Sequence, residues 1–226
     1  MKLVLIPSDY EAAPLVRRLQ GRTRRRLSGG AVLHTGRLAD KPLCVAVIGM
    51  GAPARARAAQ AMDAVRPECA LLAGFCGALS ENLDVGELFL TTEPLAAWPT
   101  PWSSARLHTA DAVIATAEER LALHERTGAD CVDMEQSHVA HAARERGIPL
   151  LGVRIISDTP QSDVPHRALE KSYDWARAKP TPLRMALYLA THPGDIVRLM
   201  AFLRPLGPVR EKLAGELVDY LAESAD

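Results

Sequence analysis

The chain alternates short, almost wholly apolar runs with longer segments whose apolar residues recur at helical spacing, and this alternation restricts it to few folds. KLVLIP (residues 2–7), LCVAVIGMG (43–51), ECALLAGFCGAL (68–79) and IPLLGVRIISD (148–158) read as buried strands. DYEAAPLVRRL (9–19), PARARAAQAMDAV (53–65), AEERLALHERTG (117–128) and EQSHVAHAARERG (135–147) read as helices, the first capped by Ser8 or Asp9. Strands with no polar face must be covered on both sides, and intervening helices supply that cover. The expectation is an α/β sheet with helices on its faces. Shorter strands are read at AVLHTG (31–36), GELFLTT (86–92), DAVIAT (111–116) and ADCVDM (129–134), and a proline- and tryptophan-rich loop at EPLAAWPTPWSSARLHT (93–109). From Val164 the chain turns helical, and Val209, Leu213, Leu217 and Leu221 form one apolar stripe at i+4 steps.

A length of 226 residues suits one fairly large domain, 1–226, with 164–226 as a helical extension packed on it. Lysine plus arginine and aspartate plus glutamate both number 27, so no global charge draws the chain to nucleic acid. The basic run RRLQGRTRRR (17–26) reads as a solvated helix end and loop. Cys44, Cys69, Cys76 and Cys131 form no CxxC pair and lie in or beside apolar runs, as buried free thiols in a reducing cytoplasm would. The opening apolar run is too short for a secretory signal, and no stretch approaches a membrane span.

Acids gather where these strands end. Glu11 follows the first strand, Asp133 and Glu135 flank Met134 at the end of ADCVDM, and Asp158 ends GVRIISD behind Arg154 and Ser157. Singly, each reads as a solvated acid or a helix cap. Together at equivalent sheet ends, where ligands of open α/β sheets bind, they read as a site.

VAVIGMG (45–51), ALLAGFCGALSENLDVGELFL (70–90) and VDMEQSHVAHAARERGIPLLGVRIISD (132–158), in this order and spacing, resemble the purine nucleoside phosphorylase and nucleosidase superfamily, methylthioadenosine/S-adenosylhomocysteine nucleosidases among them. The resemblance implies a three-layer α/β/α domain around a mixed, partly barrel-like sheet. It also implies cleavage of a nucleoside's N-glycosidic bond through an oxocarbenium-like transition state, with no metal or organic cofactor. Asp158 then corresponds to the acid that protonates or hydrogen-bonds purine N7, a task that burial would favour. Glu135 corresponds to the acceptor for the ribose 2′- and 3′-hydroxyls, Met134 to a residue packed on the sugar, and Asp133 to a support beside them. Glu11, with Asp9 as its competitor, corresponds to the activator of water, Arg154 to a positioner of the nucleophile, and Ser157 to an aid at the base end. Val113 and Ile114 align with residues flanking the purine, and Gly74 and Phe75 belong to the glycine loop. A homodimer is the implied assembly.

Phosphorolytic relatives tend to carry an arginine just before that loop and a hydroxyl within it. Here Ala73 and Phe75 supply neither, although the backbone amides of Gly74 to Ala78 remain possible donors to an anion. Water is therefore the favoured nucleophile, phosphate the alternative, and a nucleoside- or lipid-binding protein without turnover the rival of another class. LHTADAVIATAEERLALHERTGADCVDMEQ (107–136) and PTPLRMALYLATHPGDIVRLMAFLRPL (180–206) are also similar to a subgroup tied to hopanoid biosynthesis that acts on adenosylhopane and releases adenine. That similarity implies a bulky lipid on the 5′ side of the ribose. Trp98 and Trp102 would line its pocket, and the tail's apolar residues, with Arg184, Arg198 and Arg204, would rest on a membrane surface.

Overall fold

Past its first residue, β1 (Lys2–Ile6) is wholly buried, and its side chains alternate between two cores. Leu3 and Leu5 join Ala58, Met62, Val139 and Ala143 on one face of the sheet. Val4 and Ile6 join Leu15, Leu213 and Leu217 on the other. The computed structural model describes residues 1–91, 99–174 and 179–223. After β1 come α1 (Asp9–Arg17), β2 (Gln20–Arg26), β3 (Val32–Leu38), β4 (Lys41–Val47), α2 (Ala54–Val65), β5 (Ala70–Ala78), β6 (Leu88–Leu90) and β7 (Leu107–Thr109). They are followed by α3 (Ala117–Thr127), β8 (Cys131–Asp133), α4 (Gln136–Arg144), β9 (Leu150–Asp158), α5 (His166–Ser172), α6 (Pro182–Thr191) and α7 (Gly194–Glu223).

The sheet is mixed and branched. Its main path runs β2-β3-β4-β1-β5-β8-β7, and β9 pairs with both β5 and β6. The inner pairs β1–β4, β1–β5 and β5–β9 are parallel, while β5–β8 and β6–β9 are antiparallel. Strand β5 is the hub: its first half lies between β1 and β9, and its last residues between β8 and β9. Helices α2 and α4 cover one face, α1 and α7 the other. This agrees with the α/β sandwich read from the sequence.

Three local readings are corrected. The basic run is not a loop: Gln20–Arg26 forms an exposed edge strand on β3, where arginines also discourage pairing with another chain. DAVIAT is not a strand, because the ladder to β8 is taken by Leu107–Thr109, from the segment read as a loop. Thr109 Oγ1 then donates to Asp133 Oδ1 at 2.9 Å, and residues 110–116 are left as a loop ending on Thr116, which caps α3 with a capping box. Ser8, not Asp9, caps α1, accepting from the Glu11 amide at 3.2 Å. All four cysteines are free and buried, and no helix among the described residues is long and apolar enough to cross a membrane.

The stripe read in the tail is part of the core: Val209, Leu213, Leu217 and Leu221 of α7 are all buried. Leu217→Ala would leave a cavity between α7 and the sheet, and is expected to cost about 2–5 kcal/mol of unfolding free energy in a urea titration. A cost near zero would mean that the second half of α7 does not hold the sheet.

Candidate active site

The ends of β5, β8 and β9 meet over one cavity of ≈ 690 Å³, and a local irregularity in β9 brings Asp158 to it. β5 and β9 run in register from Ala70↔Leu150 to Cys76↔Ile156, and then Gly77 pairs with Asp158. Ser157 is therefore an extra residue in β9. In an unbroken strand, neighbours point to opposite faces; the bulge lets Ser157 and Asp158 both line the cavity. On β5 the facing positions are glycines for steric reasons. A Cβ at Gly74 would lie 2.9 Å from Glu11 Oε1, and one at Gly77 would lie 3.0 Å from Asp158 Oδ2.

Glu11, Glu135 and Asp158, from three separate parts of the sequence, line this cavity, with Met134, Phe75, Val113 and Ile114 between them. Glu11 is buried on the first turn of α1. Its Oε1 accepts from the Phe75 amide at 2.8 Å, and Ser8 Oγ donates to its Oε2. Asp9, its competitor in the sequence, stays exposed at the rim. Glu135 lies just before α4 and reaches back to the turn after β4, where its Oε1 accepts from the Gly51 amide at 2.8 Å. Gly51 has φ +69°, a conformation that favours glycine.

Arg154 and Gly74 stand behind this wall, and Asp133 borders the cavity in front of Arg154. Arg154 is fully buried and does not line the cavity. Its guanidinium bonds Asp133 Oδ2 at 2.5 Å and Leu72 O at 3.5 Å. Asp133 also accepts from the Gln136 amide at 2.8 Å and from Thr109 Oγ1, so both its oxygens are engaged by the protein. Arg154 pairs with Asp133 without itself lining the cavity, and Asp133, read as a support, is Arg154's partner and the anchor of α4 while it also borders the cavity. Gly74 likewise does not line the cavity; it makes room for Glu11.

Asp158 has a partner that sequence reasoning missed. Arg120, buried on α3, donates through Nη2 to Asp158 Oδ2, through Nη1 to Ala78 O at 3.0 Å and through Nε to Ile114 O at 3.2 Å. Ser157 Oγ lies 2.5 Å from Asp158 Oδ1 and 3.1 Å from Cys76 O. Asp158 is thus an ion-paired carboxyl and not a lone buried acid, which replaces the expectation that burial alone prepares it. It is also not a helix cap. Arg120 sits mid-helix in AEERLALHERTG, where it reads as a solvent-facing residue; the only hint in the sequence was its place four residues after Thr116.

Two buried ion pairs, Arg154–Asp133 and Arg120–Asp158, leave Glu11 and Glu135 as the acids without a dedicated cation. Both are pushed above the usual carboxylate range. Burial raises Glu11 against the opposing hydrogen bonds from Ser8 and Phe75 and the charge of Arg154. Burial, then the charge of Asp133, pushes Glu135 up to about 8, opposed by Arg154 and the Gly51 amide. A carboxyl raised in this way acts as a base near neutral pH when ionised and as a hydrogen-bond donor when protonated.

Away from the acids the cavity is apolar, walled by Leu169, Met185, Leu199, Phe202 and Leu206 from α5, α6 and α7. Trp102 does not belong to this wall. It packs on Tyr220 with ring centroids 4.9 Å apart and donates to Glu216 at 3.2 Å, tying its loop to α7. Trp98 lies outside the described residues.

A family model described as the phosphorylase superfamily matches residues 2–97 and 101–187. No curated protein matches the chain. Among solved structures, the Arabidopsis thaliana 5′-methylthioadenosine nucleosidase is similar with a TM-score of 0.68 at 21% identity, over 100% of this chain and 96% of that one. The Campylobacter jejuni 5′-methylthioadenosine/S-adenosylhomocysteine nucleosidase has a TM-score of 0.71 at 15% identity, over 98% of both chains. The Helicobacter pylori futalosine hydrolase has a TM-score of 0.69 at 17% identity, over 98% of this chain and 97% of that one. At these identities the likeness to the solved structures is one of fold.

The raised Glu135 makes stability depend on pH. A carboxyl moved from 4.5 to about 8 on folding favours the folded state in full below 4.5, and that contribution is lost as pH rises through about 8. Glu135→Gln keeps an acceptor for Gly51 but cannot ionise. Its melting temperature is therefore expected to gain on the wild type steadily across that window. Parallel melting curves from pH 4 to 9 would refute the assignment.

Proposed function

The chain belongs to the phosphorylase superfamily, and from that premise we propose that it is a nucleosidase that hydrolyses the N-glycosidic bond of a 5′-modified adenosine. The observation that carries the reading is the convergence of Glu11, Glu135 and Asp158 on one cavity whose other end is apolar. The bond breaks with its electrons passing to the base, so the base needs hydrogen bonds and the sugar, as it becomes cationic, needs carboxylates near it.

Each acid has one part in this scheme. Asp158 gives up the proton that N7 gains as the base departs, with Ser157 hydrogen-bonded to the same carboxyl, and Arg120 pairs the carboxylate that is left. Glu135 takes the ribose hydroxyls, with Met134 against the sugar. Glu11, poised by burial, removes a proton from the attacking water. Val113 and Ile114 flank the base.

Water is favoured over phosphate because the Phe75 amide, one of the loop's potential anion donors, already donates to Glu11. A phosphate dianion there would face a buried carboxylate, with Arg154 committed to Asp133. Arg26 and Arg57, which also line the cavity, are the observation in favour of the phosphorolytic alternative. The apolar wall from α5, α6 and α7 suits a large hydrocarbon 5′ substituent, of which adenosylhopane is the instance implied by the sequence resemblance.

The test is a panel of 5′-modified adenosines, from methylthio to polycyclic hydrocarbon, incubated with and without phosphate. Adenine and free ribosyl product are expected at a rate independent of phosphate. Ribose 1-phosphate formed only with phosphate would overturn the choice of nucleophile. Asp158→Asn and Glu11→Gln are each expected to lower kcat about 10²–10⁴-fold. Circular dichroism serves as a folding check, since Asp158→Asn strands Arg120. A wild-type protein that binds these nucleosides and releases no base would be the non-catalytic alternative.

A further inference from the structure

Helix α6 and the first half of α7 are apolar on both sides. Their inner residues Met185, Leu199 and Phe202 wall the cavity. Their outer residues face solvent: Leu183 is 74% exposed, Leu187 64%, Val197 72% and Met200 65%. Leu203 belongs to both sides, lining the cavity while 39% exposed, so the outer face runs on into the cavity wall. A helix pair in water normally keeps one polar face, and a run of large exposed apolar side chains on a globular protein marks a contact surface.

A second feature borders the same cavity. The exposed edge strand β2 carries Arg22, Arg24, Arg25 and Arg26 with no acid among them, and Arg26 lines the cavity. On the helix pair, Arg184, Arg198 and Arg204 stand against Asp195 alone. Arg198 is paired with Asp163 and Asp195, whereas Arg184 and Arg204 form no ion pair among the described residues. In a chain with equal numbers of acids and bases, this gathering of cations beside apolar side chains is local.

We propose that the outer face of α6 and the first half of α7, together with β2, docks on an anionic lipid bilayer, and that the apolar part of the substrate passes from the bilayer into the cavity beneath. The apolar side chains suit the acyl boundary and the arginines the anionic headgroups, the two terms that hold an interfacial helix. A second copy of the chain fits less well: a two-fold interface sets a patch against itself, and this patch would meet its own arginines with almost no acid between them. The docking stands on the face itself, whereas the passage into the cavity rests on the functional reading above.

Flotation tests the proposal, with vesicles of phosphatidylcholine alone or mixed with phosphatidylglycerol. The full chain is expected to float with the mixed vesicles, less with phosphatidylcholine alone, and less in ~1 M salt, where the screening length falls to ~3 Å. Leu187→Glu/Val197→Glu is expected to weaken binding about tenfold or more, and Arg24→Ser/Arg25→Ser to lose the preference for phosphatidylglycerol. Both variants are expected to keep the wild-type mass in light scattering and the wild-type rate on water-soluble 5′-methylthioadenosine, since none of the four residues lines the cavity. Absence of wild-type flotation at low salt, or flotation unchanged in both variants, would overturn the docking. A change from dimer to monomer in the Leu187/Val197 variant would assign the face to a second copy instead. Flotation without any base release would leave the docking standing and sink the functional reading, so the two fail separately.

Discussion

A fully buried arginine in the middle of a nine-residue strand is costly unless its charge is met, and Arg154 is met by Asp133. The pair joins β9 to β8, which share no ladder and are bridged otherwise only through β5. Asp133 also bonds the Gln136 amide in the first turn of α4 and Thr109 of β7, so one carboxyl fixes the strand, the helix start and the neighbouring strand. Glu135 has its place because this junction is rigid: it stands two residues after Asp133, where the chain turns from strand to helix. Without Arg154, the carboxyls of Asp133, Glu135 and Glu11 would repel one another in a low dielectric.

The second buried pair, Arg120–Asp158, meets a buried charge at the end of β9 as Arg154–Asp133 does in its middle. Two cations are spent on two carboxyls that stay in place, and the two carboxyls left over, Glu11 and Glu135, are those pushed toward neutrality. This division is set by geometry, since all four acids are buried alike. Under the proposed function it also favours water, since both buried arginines are already paired and only Arg26 and Arg57 at the cavity wall remain to meet a dianion.

The sheet, and the gathering of Glu11, Glu135 and Asp158 at one cavity, were legible because they rest on local patterns. Apolar runs gave β1, β4, β5 and β9, and the acids at their ends marked the cavity. Arg120 was not legible, because its partner is 38 residues away and its helix reads as charged all round. β7 was missed because a three-residue strand has almost no pattern of its own, and DAVIAT, with better β-propensity, lost the ladder to a segment whose Thr109 can bond Asp133. The roles of Arg154 and Asp133 were blurred for a related reason. Their spacing matches a motif, but whether a side chain faces the cavity or sits behind its wall depends on the bulge at Ser157 and on where α4 begins. The resemblance implied that Trp102 lines the pocket, yet it packs on α7.

The two ends of the cavity have different origins in the chain. The acids come from the sheet and its first helices, before residue 159, and their positions are fixed by the β5–β9 register and the glycines that face them. The apolar wall comes from α5 and α6, which pack on each other, and from the first half of α7. The second half of α7, by contrast, is core, so the helix is anchored at one end and presents its other end to the cavity and to solvent. A change in α6 or in the first half of α7 can therefore alter the apolar end of the cavity without disturbing the acids. Under the proposed function, the same acids would serve nucleosides with small or large 5′ groups, and these helices would make the choice.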